Sequence, residues 1–318
     1  KKYLGTSKII SSNEIEINNN GKIENIHTKK IIIATGSTPT ILPNIDIDET
    51  HIVTSTGALD LKKVPKKLIV IGAGVIGLEM GTVWRRLGSE VEVIEFLPRI
   101  LPGMDTEVAD KFMKILQKQG IKFKLSHSLE SVKKVDGKVM LSIKDTDTNS
   151  LKQIDADVVL IAVGRKPNTS GLGLEELGLA TDKHGFIEIN NKFESSIKNI
   201  YAIGDVIRGP MLAHKAEEDG VAAVEIINGE AGHVDYNLVP GIIYTAPEVA
   251  VIGKTEEELK NDGISYNKGV FPLTANSRAK AIGHTDGMVK ILADKSTDKI
   301  LGAHMIGHEA GTVIHELS

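Results

Sequence analysis

The feature that most constrains this chain is a glycine-rich turn between an apolar strand and a helix. The segment reads VIGAGVIGLE over 70–79, and four apolar residues, 68–71, lead into it. Gly72, Gly74 and Gly77 fit the spacing G-x-G-x-x-G. In that motif the first glycine allows a tight turn, the second admits a pyrophosphate and the third packs the helix on the strand. Free N–H groups at the helix start bind the anion. The pattern predicts a dinucleotide-binding unit, and the alternative is a glycine turn that only packs a helix.

A carboxylate follows at the position that distinguishes NAD-binding from NADP-binding proteins of this type. Glu95 ends the next predicted strand, 91–95. A carboxylate there accepts hydrogen bonds from the adenosine ribose hydroxyls and repels the 2′-phosphate of NADP. The sequence therefore predicts NAD as the cofactor, although Arg99 nearby keeps NADP as an alternative.

Glu79 allows two interpretations. The sequence predicts it in the first turn of the helix that follows the glycines. The helix dipole stabilises a negative charge there, and this alone explains the residue. A role at the nucleotide is the alternative.

Strands and helices alternate after the glycine turn. The pattern predicts β-α-β-α-β over 67–125, a hairpin that turns at Asp136 and Gly137, and a closing buried strand over 158–163. Asp105 or Thr106 is predicted to cap the second of these helices. This order is typical of a doubly wound nucleotide domain with an antiparallel insert. The stretch 38–66 is rich in Pro, Asp and Thr and is predicted as a loop.

The flanking regions have other patterns. Alternation over 8–33, with a turn at 19–21, predicts short antiparallel strands. A short strand is predicted within 199–205, and a helix near 213–228. From 236 onward we expect antiparallel strands and a helix near 255–262.

Composition excludes several classes of protein. The net charge is −4 with no block of like charge, so neither nucleic acid nor an anionic membrane is implied. No apolar run approaches the ~20 residues that cross a bilayer. The absence of cysteine excludes disulfides and thiolate metal sites within these 318 residues. His304, His308 and Glu309 do not complete the H-E-x-x-H zinc motif, so we predict two surface histidines and no metal site.

Seven motifs together resemble one family, the flavoprotein pyridine nucleotide-disulfide reductases. In chain order they are IIIATGS (31–37), VIGAGVIGLE (70–79), VIEFLPRILPGMD (93–105), AVGRKPN (162–168), NIYAIGD (199–205), MLAHKAEEDG (211–220) and NSRAKA (276–281). The resemblance covers essentially the whole chain. It is strongest to the NAD-linked branch that oxidises dihydrolipoamide in 2-oxoacid dehydrogenase complexes.

The resemblance implies an α/β fold with three functional regions. A doubly wound, Rossmann-like NAD domain is inserted in a partial FAD domain, and an α+β dimer-interface domain follows. The implied boundaries are 1–66 and 187–235 for the FAD domain, 67–186 for the NAD domain and 236–318 for the interface domain.

Site residues follow from the resemblance motif by motif. The implied NAD positions are Gly72, Ala73, Gly74, Val75, Ile76, Gly77, Leu78, Glu79, Glu95, Leu129 and Gly164. The implied FAD positions are Thr35, Gly36, Ser37, Asp205, Met211, Leu212, Ala213 and His214. Asp205 is implied to accept a hydrogen bond from a ribityl hydroxyl, and Glu79 to support catalysis near the nicotinamide. From the residues alone, Asp205 is alternatively the cap of the helix after 210, His214 an ordinary helix-start histidine, and Arg165 an anchor of its loop.

The resemblance also implies an activity and partners. A redox disulfide oxidises lipoyl dithiols and passes electrons through FAD to NAD+, in a homodimer that docks on the E2 acyltransferase of a 2-oxoacid complex. No residue here matches the redox cysteines or the histidine base, so no catalytic residue is assigned. We expect those groups before Lys1 and after Ser318. The 318 residues alone are then expected to bind NAD, to retain FAD poorly and not to oxidise dihydrolipoamide.

Two other functions remain open from the sequence. One is another NAD(P)H-dependent flavoprotein disulfide reductase, and the other is a non-catalytic module that binds nucleotide or E2. The predicted compartment is a bacterial cytoplasm, with the mitochondrial matrix as the alternative.

Overall fold

The computed structural model describes residues 1–135 and 137–317. Asp136, which belongs to the predicted hairpin turn, and Ser318 lie outside the described residues. The chain separates into two compact units, one of 1–38 with 165–236 and one of 39–164 with 237–318. The predicted domain boundaries stay a prediction, since these units group 39–66, the glycine turn and the C-terminal region together.

The N-terminal segment forms an antiparallel sheet. Its strands are β1 (Thr6–Ser11), β2 (Glu14–Asn19) and β3 (Lys22–His27), and the short strands β4 (Ile31–Ile33) and β5 (Ser37–Pro39) follow. The turn between β2 and β3 uses Asn20 and Gly21, which both have positive φ. This is the chemistry that an Asn-Gly turn requires, and it confirms the predicted hairpin.

The next region is built on a parallel sheet. In chain order its elements are β6 (Ile52–Val53), α1 (Ser55–Asp60), β7 (Lys67–Ile71), α2 (Val75–Arg86), β8 (Glu90–Ile94), α3 (Thr106–Lys118), β9 (Lys122–Lys124), β10 (His127–Val135), β11 (Lys138–Asp145), β12 (Leu151–Ala156) and β13 (Val158–Ile161). Five parallel strands stand in the order β6-β13-β7-β8-β9, and β10 to β12 form a separate antiparallel sheet. The predicted doubly wound domain with an antiparallel insert is confirmed.

Burial follows from this arrangement. The strands β7 and β13 are apolar throughout their central residues because both faces of the parallel sheet are covered, one by α2 and α3 and the other by the antiparallel sheet of β10 to β12. Helix α3 packs Val108, Phe112 and Leu116 on the sheet, each of them fully buried. Asp105 caps α3 and accepts a hydrogen bond from the Val108 N–H at 3.3 Å, as one of the two predicted caps.

The predicted loop over 38–66 is wrong in part, because it contains β6 and α1. Helix α1 has six residues, which is too short for a recognisable helical period. Its start is held by Glu49, whose carboxylate accepts hydrogen bonds from the N–H groups of Thr54 and Gly57, both at 2.9 Å. Thr54 is itself the N-cap of α1.

The chain then returns to the first unit. The elements are β14 (Arg165–Pro167), β15 (Ile200–Ala202), a 3-10 turn (Gly204–Val206), α4 (Ala213–Asn228) and a 3-10 turn (Tyr236–Leu238) that ends the segment. Strand β15 pairs in parallel with β4. Helix α4 ends at Gly229 in the left-handed region, which is the usual glycine C-cap.

The C-terminal region is an antiparallel sheet with short helices. Its elements are β16 (Gly241–Ile243), β17 (Glu248–Gly253), α5 (Glu256–Asn261), β18 (Tyr266–Pro272), a 3-10 turn (Leu273–Ala275), α6 (Ser277–Ile282), β19 (Met288–Asp294), β20 (Ile300–Gly307), α7 (Ala310–Val313) and a 3-10 turn (Ile314–Leu317). The strand order is β16-β17-β20-β19-β18. The predicted α+β character is confirmed.

The prediction that His304 lies at the surface is wrong. It is 1% exposed, and its Nε2 lies 3.2 Å from the Lys254 carbonyl oxygen. In β20 it stands opposite Lys290 of β19, and the carboxylates that neutralise Lys290 come from distant parts of the sequence. His308 is exposed, as predicted. Among the described residues no group of three or more His, Cys, Asp or Glu is placed to hold a metal.

Within the same described residues, no helix has the length and apolar character that a membrane span requires.

Candidate functional site

A cleft of about 580 Å³ opens at the carboxyl ends of β7, β8 and β13. The chain runs from β7 to β8 on one side, and β13 pairs with β7 on the other side. This is the switch point of a doubly wound sheet, where ligands bind in such folds. The cleft is lined by Leu42, Ile71, Gly72, Gly74, Ile94, Glu95, Phe96, Leu97, Pro102, His127, Ser128, Leu129, Ala162, Val163 and Gly164.

Five of the residues proposed for NAD meet in this cleft. They are Gly72, Gly74, Glu95, Leu129 and Gly164. The other six, Ala73, Val75, Ile76, Gly77, Leu78 and Glu79, form the rest of the turn and the start of α2 and do not line the cleft. Their roles in binding stay predictions.

The three glycines have different surroundings. Gly72 has φ +104°, and a Cβ there would lie 2.3 Å from the Ala162 carbonyl oxygen. A Cβ on Gly77 would lie 2.1 Å from the Gly72 carbonyl oxygen, so only glycine fits against the turn. Gly74 is the N-cap of α2 with an ordinary backbone, and a Cβ there would meet nothing within 4 Å. The open space at Gly74 faces the cleft that this residue lines, and it suits the close approach of a pyrophosphate.

Glu95 follows β8 directly and is the carboxylate of the cleft. Its Oε2 accepts a hydrogen bond from the Ala73 N–H at 2.6 Å, and its Oε1 accepts one from the Leu97 N–H at 2.9 Å. The residue is 9% exposed. Glu95 therefore ties the glycine turn to the segment after β8, and its carboxylate lines the cleft. Its role in selecting NAD over NADP stays a prediction.

Arg99 does not face the cleft as a phosphate ligand. Its guanidinium donates to the Met104 carbonyl oxygen at 2.5 Å, to Thr106 Oγ1 at 2.7 Å and to the Leu101 carbonyl oxygen at 3.3 Å. These bonds close the segment 96–104 on itself. The alternative in which Arg99 favours NADP has no support from this geometry.

The prediction that Glu79 lies in the first turn of α2 is wrong. Helix α2 begins at Val75, and no acidic residue lies in its first turn. The dipole explanation is correspondingly weak. Its Oε1 accepts a hydrogen bond from the Tyr244 N–H at 2.8 Å. Burial raises the pKa of Glu79 above the ordinary carboxyl value, against the opposing effect of the Tyr244 bond.

Sequence reasoning missed part of the cleft wall. Phe96 is 63% exposed beside Glu95, and Leu97, Pro102 and His127 complete the same wall. The signal was an aromatic residue directly after the strand-end carboxylate. Such a ring at the mouth of a nucleotide cleft suits contact with a flat base.

The first unit brings several of the proposed FAD residues together. Ser37 Oγ donates a hydrogen bond to Asp205 Oδ2 at 2.5 Å, just beyond the carboxyl ends of β4 and β15. Arg165 Nε donates to Ser37 Oγ and its Nη2 to the Ser37 carbonyl oxygen, both at 2.7 Å, so Arg165 does anchor this loop. Thr35 Oγ1 donates to the Asn168 carbonyl oxygen at 2.6 Å.

For the other residues proposed to bind FAD, the structure gives the backbone conformation and the element to which they belong. Gly36 has φ +72°, and a Cβ there would meet no neighbour. Met211, Leu212, Ala213 and His214 lie at the start of α4, whose N-cap is Leu212. The alternative in which Asp205 caps that helix is therefore wrong. A half-buried carboxylate at the mouth of a parallel strand pair fits a ligand hydroxyl, and the FAD roles stay predictions.

A buried ion pair supports the backbone next to Asp205. Lys215 and Asp219 are both fully buried, with 2.7 Å between Nζ and Oδ2. Asp219 Oδ2 accepts from the Gly204 N–H at 3.0 Å, and Lys215 Nζ donates to the Gly204 carbonyl oxygen at 3.1 Å. Tyr236 donates its hydroxyl to Asp219 Oδ1 at 2.7 Å. Burial and this hydrogen bond raise the pKa of Tyr236.

Comparison with protein families gives two matches. The family described as pyridine nucleotide-disulphide oxidoreductase matches residues 1–220, and the dimerisation domain of the same family matches 239–318.

Curated relatives are similar to almost the whole chain. Over 98% of its length, the chain is 55% identical to a mitochondrial dihydrolipoyl dehydrogenase of Dictyostelium discoideum, 56% identical to mitochondrial dihydrolipoyl dehydrogenase 1 of Arabidopsis thaliana and 53% identical to the mitochondrial dihydrolipoyl dehydrogenase of Homo sapiens. It covers 64%, 62% and 62% of these relatives, respectively. The chain thus spans less than two thirds of their length.

Solved structures share the fold. The HOCl-induced flavoprotein disulfide reductase RclA of Escherichia coli matches with a TM-score of 0.88 at 28% identity, over 98% of this chain and 71% of that one. LpdA of Mycobacterium tuberculosis matches with a TM-score of 0.90 at 26% identity, over 98% and 69% of the two chains.

Proposed function

This chain belongs to the pyridine nucleotide-disulphide oxidoreductase family, and on that premise we propose that it serves a dihydrolipoyl dehydrogenase as the region that binds NAD, contacts FAD and forms the dimer. FAD and NAD are the cofactors of this family of oxidoreductases. The reaction proposed for the whole protein is oxidation of dihydrolipoamide to lipoamide with reduction of NAD+ to NADH.

The cleft at the sheet switch point is the observation that carries this proposal. In it, Gly74 leaves room for the pyrophosphate, the N–H groups that begin α2 hold its charge and Glu95 takes the ribose hydroxyls. Phe96 covers the base from one side. We assign Glu79 a supporting role near the nicotinamide, because its carboxyl is half-buried and has a raised pKa.

The flavin site is proposed in the first unit. Bound FAD would carry electrons between the substrate thiols and NAD+. Asp205, held by Ser37, would accept a hydroxyl hydrogen bond, and the N-terminus of α4 would lie against the ring. These 318 residues contain no cysteine, so they supply no thiolate to the reaction.

The partners and compartment are part of the same proposal. The dimerisation domain over 239–318 supports a homodimer, and docking on an E2 acyltransferase follows from the proposed reaction. The relatives are named as mitochondrial. We therefore favour the mitochondrial matrix over the bacterial cytoplasm that the sequence first indicated.

A coupled assay tests the proposal. The full-length protein should reduce NAD+ with dihydrolipoamide and should prefer NAD+ to NADP+ by about tenfold or more. A chain verified to contain only these 318 residues should bind NADH without turnover. A preference for NADPH would support another reductase of the family, and dihydrolipoamide oxidation by the 318 residues alone would contradict the assignment of roles.

A further inference from the structure

A buried lysine joins the dimerisation domain to the nucleotide region. Lys290 lies in β19 with a fully buried side chain. Its Nζ is 2.8 Å from Asp105 Oδ1, 2.6 Å from Glu256 Oε2 and 3.0 Å from Glu107 Oε2. Burial would lower the pKa of Lys290, but hydrogen bonds to the three carboxylates raise it above its ordinary value. The lysine is therefore charged and fully paired, as a buried charge has to be.

Asp105 is the point at which this cluster meets the nucleotide region. Its carboxylate accepts hydrogen bonds from the Val108 N–H of α3 at 3.3 Å and from the Glu256 N–H at 3.1 Å, besides both contacts with Lys290. The residue is fully buried. Asp105 therefore fixes the start of α3 to the dimerisation domain, and the segment 96–104 ends at this fixed point.

The segment 96–104 connects Asp105 to the glycine turn. The Leu101 N–H donates to the Ala73 carbonyl oxygen at 3.0 Å, and Leu101 has φ +49°. A non-glycine residue keeps such a backbone only where its surroundings hold it. Within the segment, the hydrogen bonds from Arg99 to the Leu101 and Met104 carbonyl groups hold this backbone conformation. The segment also contributes Phe96, Leu97 and Pro102 to the cleft.

We propose that Lys290, which does not line the cleft, is a positioning residue for the nucleotide. This inference rests on the proposed function. Through Asp105, Lys290 holds the segment 96–104 in the conformation that keeps Leu101 on the glycine turn and Phe96 at the cleft mouth. Without this charge, the buried carboxylate of Asp105 loses its cation while Glu256 stays beside it. Either the start of α3 then shifts or the Asp105 carboxylate takes up a proton. The loss falls on nucleotide binding, because Lys290 acts on the cleft through Asp105 and the segment 96–104, which contributes Phe96, Leu97 and Pro102 to its wall.

Three variants of the full-length holoenzyme test the proposal. Lys290→Met removes the charge at similar length. Asp105→Asn keeps an N-cap residue and removes the carboxylate partner. Lys268→Met is the matched control, because Lys268 contacts Glu107 and Glu256 but not Asp105 and is 39% exposed. NADH affinity is measured by calorimetric titration, and amide exchange is followed over 96–104.

We expect Lys290→Met and Asp105→Asn to raise the Kd for NADH by about fivefold or more, with faster exchange at Leu101 and unchanged kcat at saturating NAD+. Lys268→Met should leave the Kd within about twofold. If Lys290→Met does not fold, the Kd of Asp105→Asn for NADH decides whether the proposal holds. An unchanged Kd in a folded variant of either residue overturns the proposal, even if thermal stability falls. A protein that binds no NADH before substitution overturns the proposed function instead.

Discussion

Replacing Gly74 with alanine should weaken dinucleotide binding and leave the protein folded. Gly74 has φ −78° and ψ −177°, which any residue adopts, and a Cβ there would meet no atom within 4 Å. As the N-cap of α2, alanine costs about 0.5–1 kcal/mol relative to glycine. Alanine also lowers the conformational entropy of the unfolded chain, which stabilises the folded protein by about 0.4–1 kcal/mol. The free energy of unfolding should therefore change by less than about 1 kcal/mol.

The same methyl group lies where the pyrophosphate has to approach the backbone. We expect the Kd for NADH to rise at least about tenfold, which is a loss of ~1.4 kcal/mol in binding free energy. The assays are titration of the protein with NADH and thermal denaturation of the same preparation. Flavin absorbance serves as the control for an intact first unit.

Gly77→Ala is the matched contrast. Its Cβ would lie 2.1 Å from the Gly72 carbonyl oxygen, so α2 has to move away from the turn. Overpacking of this kind costs about 1–3 kcal/mol of stability. Gly74→Ala protein that binds NADH with unchanged Kd would refute the reasoning about the cleft. Equal destabilisation by the two substitutions would refute the assignment of open space at Gly74.

Three further predictions concern other residues. Phe96→Ala should raise the Kd for NADH about three- to tenfold at unchanged kcat, because an aromatic contact with the base contributes about 0.5–1.5 kcal/mol; an unchanged Kd would place the base elsewhere. Burial lowers the pKa of His304 in the folded protein. As the pH falls, His304 therefore binds a proton in the unfolded chain before it does so in the folded one, and the free energy of unfolding decreases below pH ~6.5. The difference in Tm between the native protein and His304→Gln should then shrink from pH 7 to pH 5, and a difference that grows would contradict the sign. Tyr236→Phe leaves Asp219 Oδ1 without its donor; it should lower stability by about 1 kcal/mol and speed flavin release, and flavin retained at the native rate would separate Asp219 from the flavin site.

The parts of the fold that were predictable are those with a local signal. The apolar run at β7, the glycine spacing and the capping residue Asp105 each act over a short stretch of sequence, and each predicts its element directly. The hairpin at Asn20 and Gly21 belongs to the same class, since positive φ at a tight turn selects these residue types.

The parts that sequence reasoning missed depend on distant partners. Helix α1 is held by Glu49 from outside the helix, so its own six residues carry no period. His304 and Lys290 look like a polar strand face, and only the fold brings Asp105 and Glu256 to Lys290 and the Lys254 carbonyl group to His304. Phe96 follows the end of β8, and only the surrounding fold determines that its ring stays exposed at the cleft mouth.

The most direct measurement is calorimetric titration of the protein with NADH and NADPH side by side. We expect one NADH per chain, bound about tenfold or more tightly than NADPH because Glu95 repels the 2′-phosphate. Loss of this binding in Gly74→Ala would locate it in the cleft beside β7. NADPH affinity equal to or above that of NADH, or NADH affinity unaffected by Gly74→Ala, would contradict the assignment of this cleft to NAD.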